Sequence, residues 1–329
     1  MLKNTTINCY IIIGIFLIIN TLIFIKNKNN IKIDKNLIKT MIITEMIFFI
    51  VFCFWSYVRS YTPEINYTTE KFMNYTILTS LFNSEYMPAE DLWLSGNRIN
   101  YYYFGQYIIS FITKISQSEI KEGFNLGIVT INTFTFMAPC MIGYNLGNYL
   151  VKDNEKKKKN LVSSLLAILA GLAVSIGGTL YYPIYNFIVD RNGEPYYYWE
   201  DTRYIGYRPD TNDKTINEIV PYSNLVGDLH AHHIDTMLVF LTLALLLQLL
   251  LNNEEKSTKN SLSSPNIMLL SIILGMQKMT NYWDFPIYLV VISITIIFNN
   301  LMRYNFSKKN FFTTLAQILE IILLEEIVT

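Results

Sequence analysis

The sequence predicts an all-α, polytopic membrane protein, and three features predict it. Hydrophobic residues make up 51% of the 329-residue chain, while charged residues make up 16%. Long apolar runs recur, several close to the roughly 20 residues that cross a bilayer as a helix. The connectors between them alternate in character, lysine-rich ones with ones rich in carboxylates and aromatics, which is the asymmetry of cytoplasmic and outer loops. Lys plus Arg and Asp plus Glu each number 26, so the chain lacks the basic signature of a nucleic-acid partner. Cys9, Cys53 and Cys140 all fall inside apolar runs and read as small hydrophobes, neither a disulfide framework nor a thiolate metal site.

Residues 9–25 form the first span. A signal peptide would need a small-x-small cleavage site after it, and Lys26 and Lys28 follow instead. The next connector carries Lys32, Lys35 and Lys39 against Asp34, so it is placed in the cytoplasm and the N-terminus outside. Residues 1–39 are then an extra N-terminal helix with a basic cytoplasmic loop, and 40–329 are the main transmembrane domain. The second span, 40–58, contains Glu45, which is either a functional intramembrane carboxylate or one that snorkels to the cytoplasmic edge.

An outer loop is expected over 59–123. Its segment 101–116 is short and Tyr-rich. The apolar run 124–151 leads into the lysines 156–159, which belong inside, so 101–116 reads as an interfacial or re-entrant helix. Residues 161–182 cross outward, with Gly171, Gly177 and Gly178 permitting close helix contact. A second outer loop covers 183–235; then 236–251 cross inward, 267–280 outward and 285–300 inward, with an outer turn at 280–284. The last run, 311–328, carries Glu320, Glu325 and Glu326 and makes a poor span, so the architecture reads as C-terminally incomplete.

This topology sends Glu64, Glu90, Asp91, Tyr101, Tyr102, Tyr103, Asp228, His230, His232, Trp283 and Asp284 to one outer face from separate loops, a grouping that marks a site. Tyrosines at a membrane edge serve either as anchors or as a platform for a sugar ring. In an extended segment, Asp228, His230 and His232 would point to one side, a donor set for Zn²⁺, Mn²⁺ or Mg²⁺. The plainer reading is a hydrogen-bonded loop whose histidines orient acids.

Five blocks carry a family resemblance: RSYTPEI (59–65), TEKFMN (69–74), EDLWLSGNRINYYYFGQY (90–107), TINEIVPYSNLVGDLHAHHID (215–235) and TNYWDFPIYL (280–289). Their order resembles the "YYY" membrane-protein family, named for its Tyr triplet and grouped with the GT-C glycosyltransferase superfamily. The resemblance implies a GT-C-like helix bundle with outer-face loops and interfacial helices in the cell membrane. It also implies a polyprenyl-phosphate sugar donor drawn from the membrane lipid. Glu64 stands where the acidic motif of the first outer loop falls, and Asp91 just ahead of the Tyr triplet. Asp228, His230 and His232 match the Gly-Asp-Leu-His-x-His block, and Trp283 and Asp284 the Trp-Asp block. Asn74 departs from the pattern where an acid is expected, and Leu92 where Pro is common. The family's chains are also longer, which keeps open a fragment, a non-catalytic subunit or a further membrane subunit as partner.

Glycosyl transfer from a lipid phosphate needs a carboxylate to take the acceptor's proton, and here Glu64 is the first candidate and Asp91 the second. It needs cations for the leaving phosphate, and Arg59, Arg98 and Arg208 are candidates. The Tyr triplet, Trp283 and Asp284 complete the substrate side. A transporter would place ionisable groups deep in several spans, and only Glu45 and Lys278 approach that. A metal-dependent membrane hydrolase built on the Asp/His block is the remaining alternative.

Overall fold

Capping residues set where the first two helices begin. Thr5 accepts a hydrogen bond from the Asn8 N–H at the start of α1 (Thr6–Asn27), and Asp34 accepts one from Leu37 N–H at the start of α2 (Lys35–Ser60). The structure, a computed structural model, describes residues 3–29, 34–66, 70–152, 155–180, 184, 187–189, 195, 197–207, 210–251 and 265–329. Six helices are long and apolar enough to cross a membrane: Thr6–Asn27, Leu37–Ser60, Ile120–Leu150, Lys156–Ser175, Ala231–Leu251 and Asp284–Tyr304. The protein is therefore all-α and multi-pass. It divides into two compact units, 1–133 and 134–329.

The first unit holds α1, α2, α3 (Lys71–Asn83), α4 (Phe104–Ser116) and the first part of α5 (Ile120–Leu150). At 13 residues, α4 is about 20 Å long, short of the ~30 Å hydrocarbon core. It buries Gln106, Ile109, Ser110 and Thr113 along one face. Helices α3 and α4 close on Ile77, Leu81 and Ala89, with Tyr103 and Tyr107 packed against that cluster. The start of α1 is tied to the same place, because Asn4 Nδ2 donates to Leu81 O at 2.8 Å and the Tyr10 hydroxyl to Ile115 O at 2.6 Å. Glu45 is exposed on α2. Cys9 is buried and Cys53 exposed.

The second unit continues α5 and adds α6 (Lys156–Ser175), the strand pair β1 (Ile205–Tyr207) and β2 (Asp210–Thr215), and α7 (Val220–Val226). Four further helices follow: α8 (Ala231–Leu251), α9 (Pro265–Thr280), α10 (Asp284–Tyr304) and α11 (Lys308–Val328). They bundle around Leu246, Leu249, Ile267, Leu270, Leu274, Ile292, Ile296 and Ile321. Two glycines let α5 and α6 nearly touch: a Cβ on Gly143 would lie 2.5 Å from Leu166 O, and one on Gly147 2.5 Å from Ser163 Cα.

Three expectations change. The span expected over 161–182 runs over Lys156–Ser175 instead, so Gly177 and Gly178 follow the helix and Gly171 alone of the three packs against α5, on Cys140. The segment 228–232 is not one extended strand, because α8 starts at Ala231. The outward crossing expected at 267–280 is α9, whose 16 residues reach about 24 Å. Two of the three carboxylates that made 311–328 a poor span are matched: Lys278 Nζ lies 2.6 Å from Glu326 Oε1 and 3.3 Å from Glu325 Oε2.

Candidate functional site

The site in the second unit begins with a turn. Helix α7 is only seven residues long and stops at Gly227, whose φ of 63° is the left-handed conformation that a β-carbon disfavours. The chain reverses there, burying Asp228 and Leu229 at 1% and 0% exposure. It then enters α8 so that the rings of His230 and His232 stand 5.1 Å apart.

Glu218, from the loop before α7, reaches both histidines. Its Oε2 is 2.9 Å from His232 Nε2 and 3.5 Å from His230 Nδ1. Ser223 Oγ lies 3.4 Å from His232 Nε2. Glu218, His230 and His232 each offer a ligand atom, all within 4.8 Å of one another, and they are the group of this kind found among the described residues. Asp228 stands beside this set, its Oδ1 3.2 Å from His230 Nδ1, the same ring nitrogen that faces Glu218. Glu218, which the sequence reading did not single out, thus joins the predicted residues Asp228, His230 and His232.

One carboxylate and two imidazoles form a donor set for Zn²⁺ or Mn²⁺, and three protein ligands leave a coordination position open, as in catalytic sites. Hydrogen bonding to His230 and then His232 holds the Glu218 carboxyl well below the usual carboxylate range, against the opposing effect of burial. The group therefore stays anionic, the form that ligates a metal.

Two other predicted residues belong to the same end of the bundle. Trp283 is 72% exposed. Asp284 opens α10, accepts from Asn281 Nδ2 at 2.8 Å and faces Asp235 of α8. Arg208 lies outside the described residues.

The first unit carries the remaining predicted residues. Arg59 is buried at the end of α2 and donates from Nε to Asn125 Oδ1 at 2.7 Å. With Ser60, Pro63, Lys121, Asn125 and Val129 it lines a mostly apolar groove of about 590 Å³. Glu64 is exposed beyond the end of α2. Asp91 has a structural task, because its Oδ1 accepts from the N–H groups of Trp93 at 2.8 Å and Leu94 at 3.1 Å. Arg98 donates from Nη1 to Pro88 O at 3.2 Å, and its Nη1 lies 4.0 Å from Glu90 Oε1 across an isolated antiparallel bridge.

The Tyr triplet splits. Tyr101 and Tyr102 stack with ring centroids 4.0 Å apart, while Tyr103 packs on the α3–α4 cluster. Burial and then the Tyr102 hydroxyl push the Tyr101 phenol well above its usual value. Sequence reasoning did not single out Glu218. The available signal was a carboxylate in the same Tyr- and His-bearing block, one short helix ahead of His-x-His.

A family model described as uncharacterized membrane protein (DUF2298) matches residues 1–328. No curated protein and no solved structure matches the chain.

Proposed function

We propose that this chain, which belongs to the DUF2298 family of uncharacterized membrane proteins, is a metal-dependent glycosyltransferase that takes its sugar from a polyprenyl-phosphate donor on the outer face of the membrane. The observation that carries this reading is the Glu218–His230–His232 cluster at the start of a membrane-spanning helix. A divalent ion held there would supply charge stabilisation for a phosphate leaving group. In the reaction, the bond from the sugar's anomeric carbon to the phosphate oxygen breaks and a bond to the acceptor oxygen forms. Polyprenyl phosphate leaves, and the acceptor's proton passes to a carboxylate.

Of the two carboxylates predicted as bases in the first unit, Glu64 is the better candidate, since Asp91 is engaged by two backbone N–H groups. In the first unit, the Arg59 groove has mostly apolar walls, with Arg59, Lys121 and Glu122 at the end of a span. The ordered Tyr-triplet, Gly-Asp-Leu-His-x-His and Trp-Asp blocks support the GT-C relation. The open coordination position favours a second reading, a hydrolase in which a metal-bound water replaces the acceptor.

The test uses the full chain purified in detergent, with polyprenyl-phosphate-linked sugars and a mixed acceptor pool. Sugar transfer that is abolished by chelation, restored by Zn²⁺ or Mn²⁺ and lost in Glu218→Gln supports the proposal. Free sugar released without acceptor, with the same metal dependence, supports the hydrolase. A folded protein that binds no metal and turns over no donor would overturn both.

A further inference from the structure

A second polar group lies deeper in the α8–α10 end of the bundle, and it contains no histidine. Asp235, about one turn into α8, is 0% exposed, and neither of its oxygens closes a hydrogen bond among the described residues. Gln277 of α9 is also 0% exposed, and neither its amide oxygen nor its amide nitrogen closes one. Both Gln277 and Asp284 of α10 face Asp235. Asn281 holds Asp284 through a 2.8 Å hydrogen bond to Oδ2. Three helices thus each present a polar side chain, with at least one oxygen, to one point.

An unmatched buried amide is costly, and native proteins keep few of them. A buried carboxylate (Asp235) beside a half-buried one (Asp284) is repelled by it unless a positive charge lies between them. Gln277, fully buried on a third helix, adds its amide to the carboxylate pair at the same point. We infer that Asp235, Asp284 and Gln277 form a binding site for a hard divalent cation of the Ca²⁺ or Mg²⁺ class. All three donors are oxygens, the choice of hard cations over Zn²⁺, and two carboxylates match a charge of +2. The ion ties α8, α9 and α10 together just inside the histidine cluster.

The experiment is equilibrium binding of Ca²⁺ and Mg²⁺ to the chelator-stripped full chain in detergent, read alongside its melting temperature. The proposal expects saturable binding of one ion and a rise in melting temperature. It expects Asp235→Asn and Asp284→Asn each to weaken binding by more than about tenfold, while His232→Ala leaves it unchanged. Size-exclusion profiles identify variants that fail to fold, and two independent carboxylate variants guard against that outcome. Absence of Ca²⁺ and Mg²⁺ binding in the folded wild type overturns the site. So does undiminished binding in either folded carboxylate variant, and so does an Asp235→Asn protein that is more stable than the metal-free wild type and gains nothing from the ions, which would mean that the carboxylates share a proton.

Discussion

Glu218 Oε2 stands 2.9 Å from His232 Nε2, across the whole of the short helix Val220–Val226. The loop before that helix and the first turn of α8 are therefore one chemical unit. Replacing Glu218 by Gln keeps the shape but removes the anionic ligand. Zn²⁺ or Mn²⁺ affinity should fall by about 10–100-fold or more, measured as metal retained per chain after dialysis. His232→Ala should do the same. Metal content equal to wild type in Glu218→Gln would remove this carboxylate from the ligand set.

Asp91 has a turn to hold, and two substitutions separate that task from chemistry. Asp91→Asn keeps a side-chain acceptor for the Trp93 and Leu94 N–H groups, so its melting temperature should match wild type. Asp91→Ala loses both bonds and should cost about 1 kcal/mol. If Asp91→Asn melts normally yet abolishes sugar transfer, Asp91 acts in the chemistry and not only in the turn.

Alkaline pH should loosen the Tyr-triplet loop. The Tyr101 phenol is raised by burial first and by Tyr102 second, so folding favours its neutral form. That contribution is fully present below the ordinary tyrosine value of about 10 and is lost as pH rises through the higher folded value. Tyr101→Phe removes the titration and should lose less stability than wild type between pH ~9 and ~11. Parallel melting curves for the two proteins over that range would show that Tyr101 ionises as freely folded as unfolded.

Lys278 holds α11 to α9 through Glu325, which is 2% exposed, and Glu326, which is 63% exposed on its side chain. Lys278→Met leaves Glu325 buried without its cation and should destabilise by about 1–3 kcal/mol. Glu326→Gln should cost less than about 1 kcal/mol, since that carboxylate faces solvent. Limited proteolysis of the C-terminal helix reads both, and equal protection in Lys278→Met would show that the pairing contributes nothing.

Gly147 is a contact point between α5 and α6, and Gly14 of α1 has nothing within 4 Å of where a Cβ would sit. Gly147→Val should cost about 1–3 kcal/mol by forcing the helices apart. Gly14→Ala should be neutral or slightly stabilising. Equal melting temperatures for the two variants would mean that α5 and α6 do not pack closely.

The spans were legible because each is a local sum: the apolar runs near α1, α2, α5, α8 and α10 declare themselves without reference to the rest of the chain. The histidines were legible as residues of chemical interest, but the carboxylate that meets both of them, Glu218, was not. An alternation argument assumes one backbone conformation, and the left-handed turn at Gly227 together with the helix start at Ala231 breaks the segment in two. Gly143 and Gly147 were equally hidden, since four-residue spacing of small residues means contact only when another helix lies opposite.

By itself the sequence determined that this protein is helical and crosses a membrane several times, because hydropathy and length act residue by residue along the chain. It also singled out His230, His232 and the Tyr triplet from their neighbours. Only the tertiary structure decided that Glu218 joins the histidine cluster, that Lys278 matches Glu325 and Glu326 of α11, and that Asp235, Gln277 and Asp284 meet at one end of the bundle. Those pairings join residues on different elements. Their distances follow from where turns reverse the chain and how helices pack, which no local period of the sequence encodes.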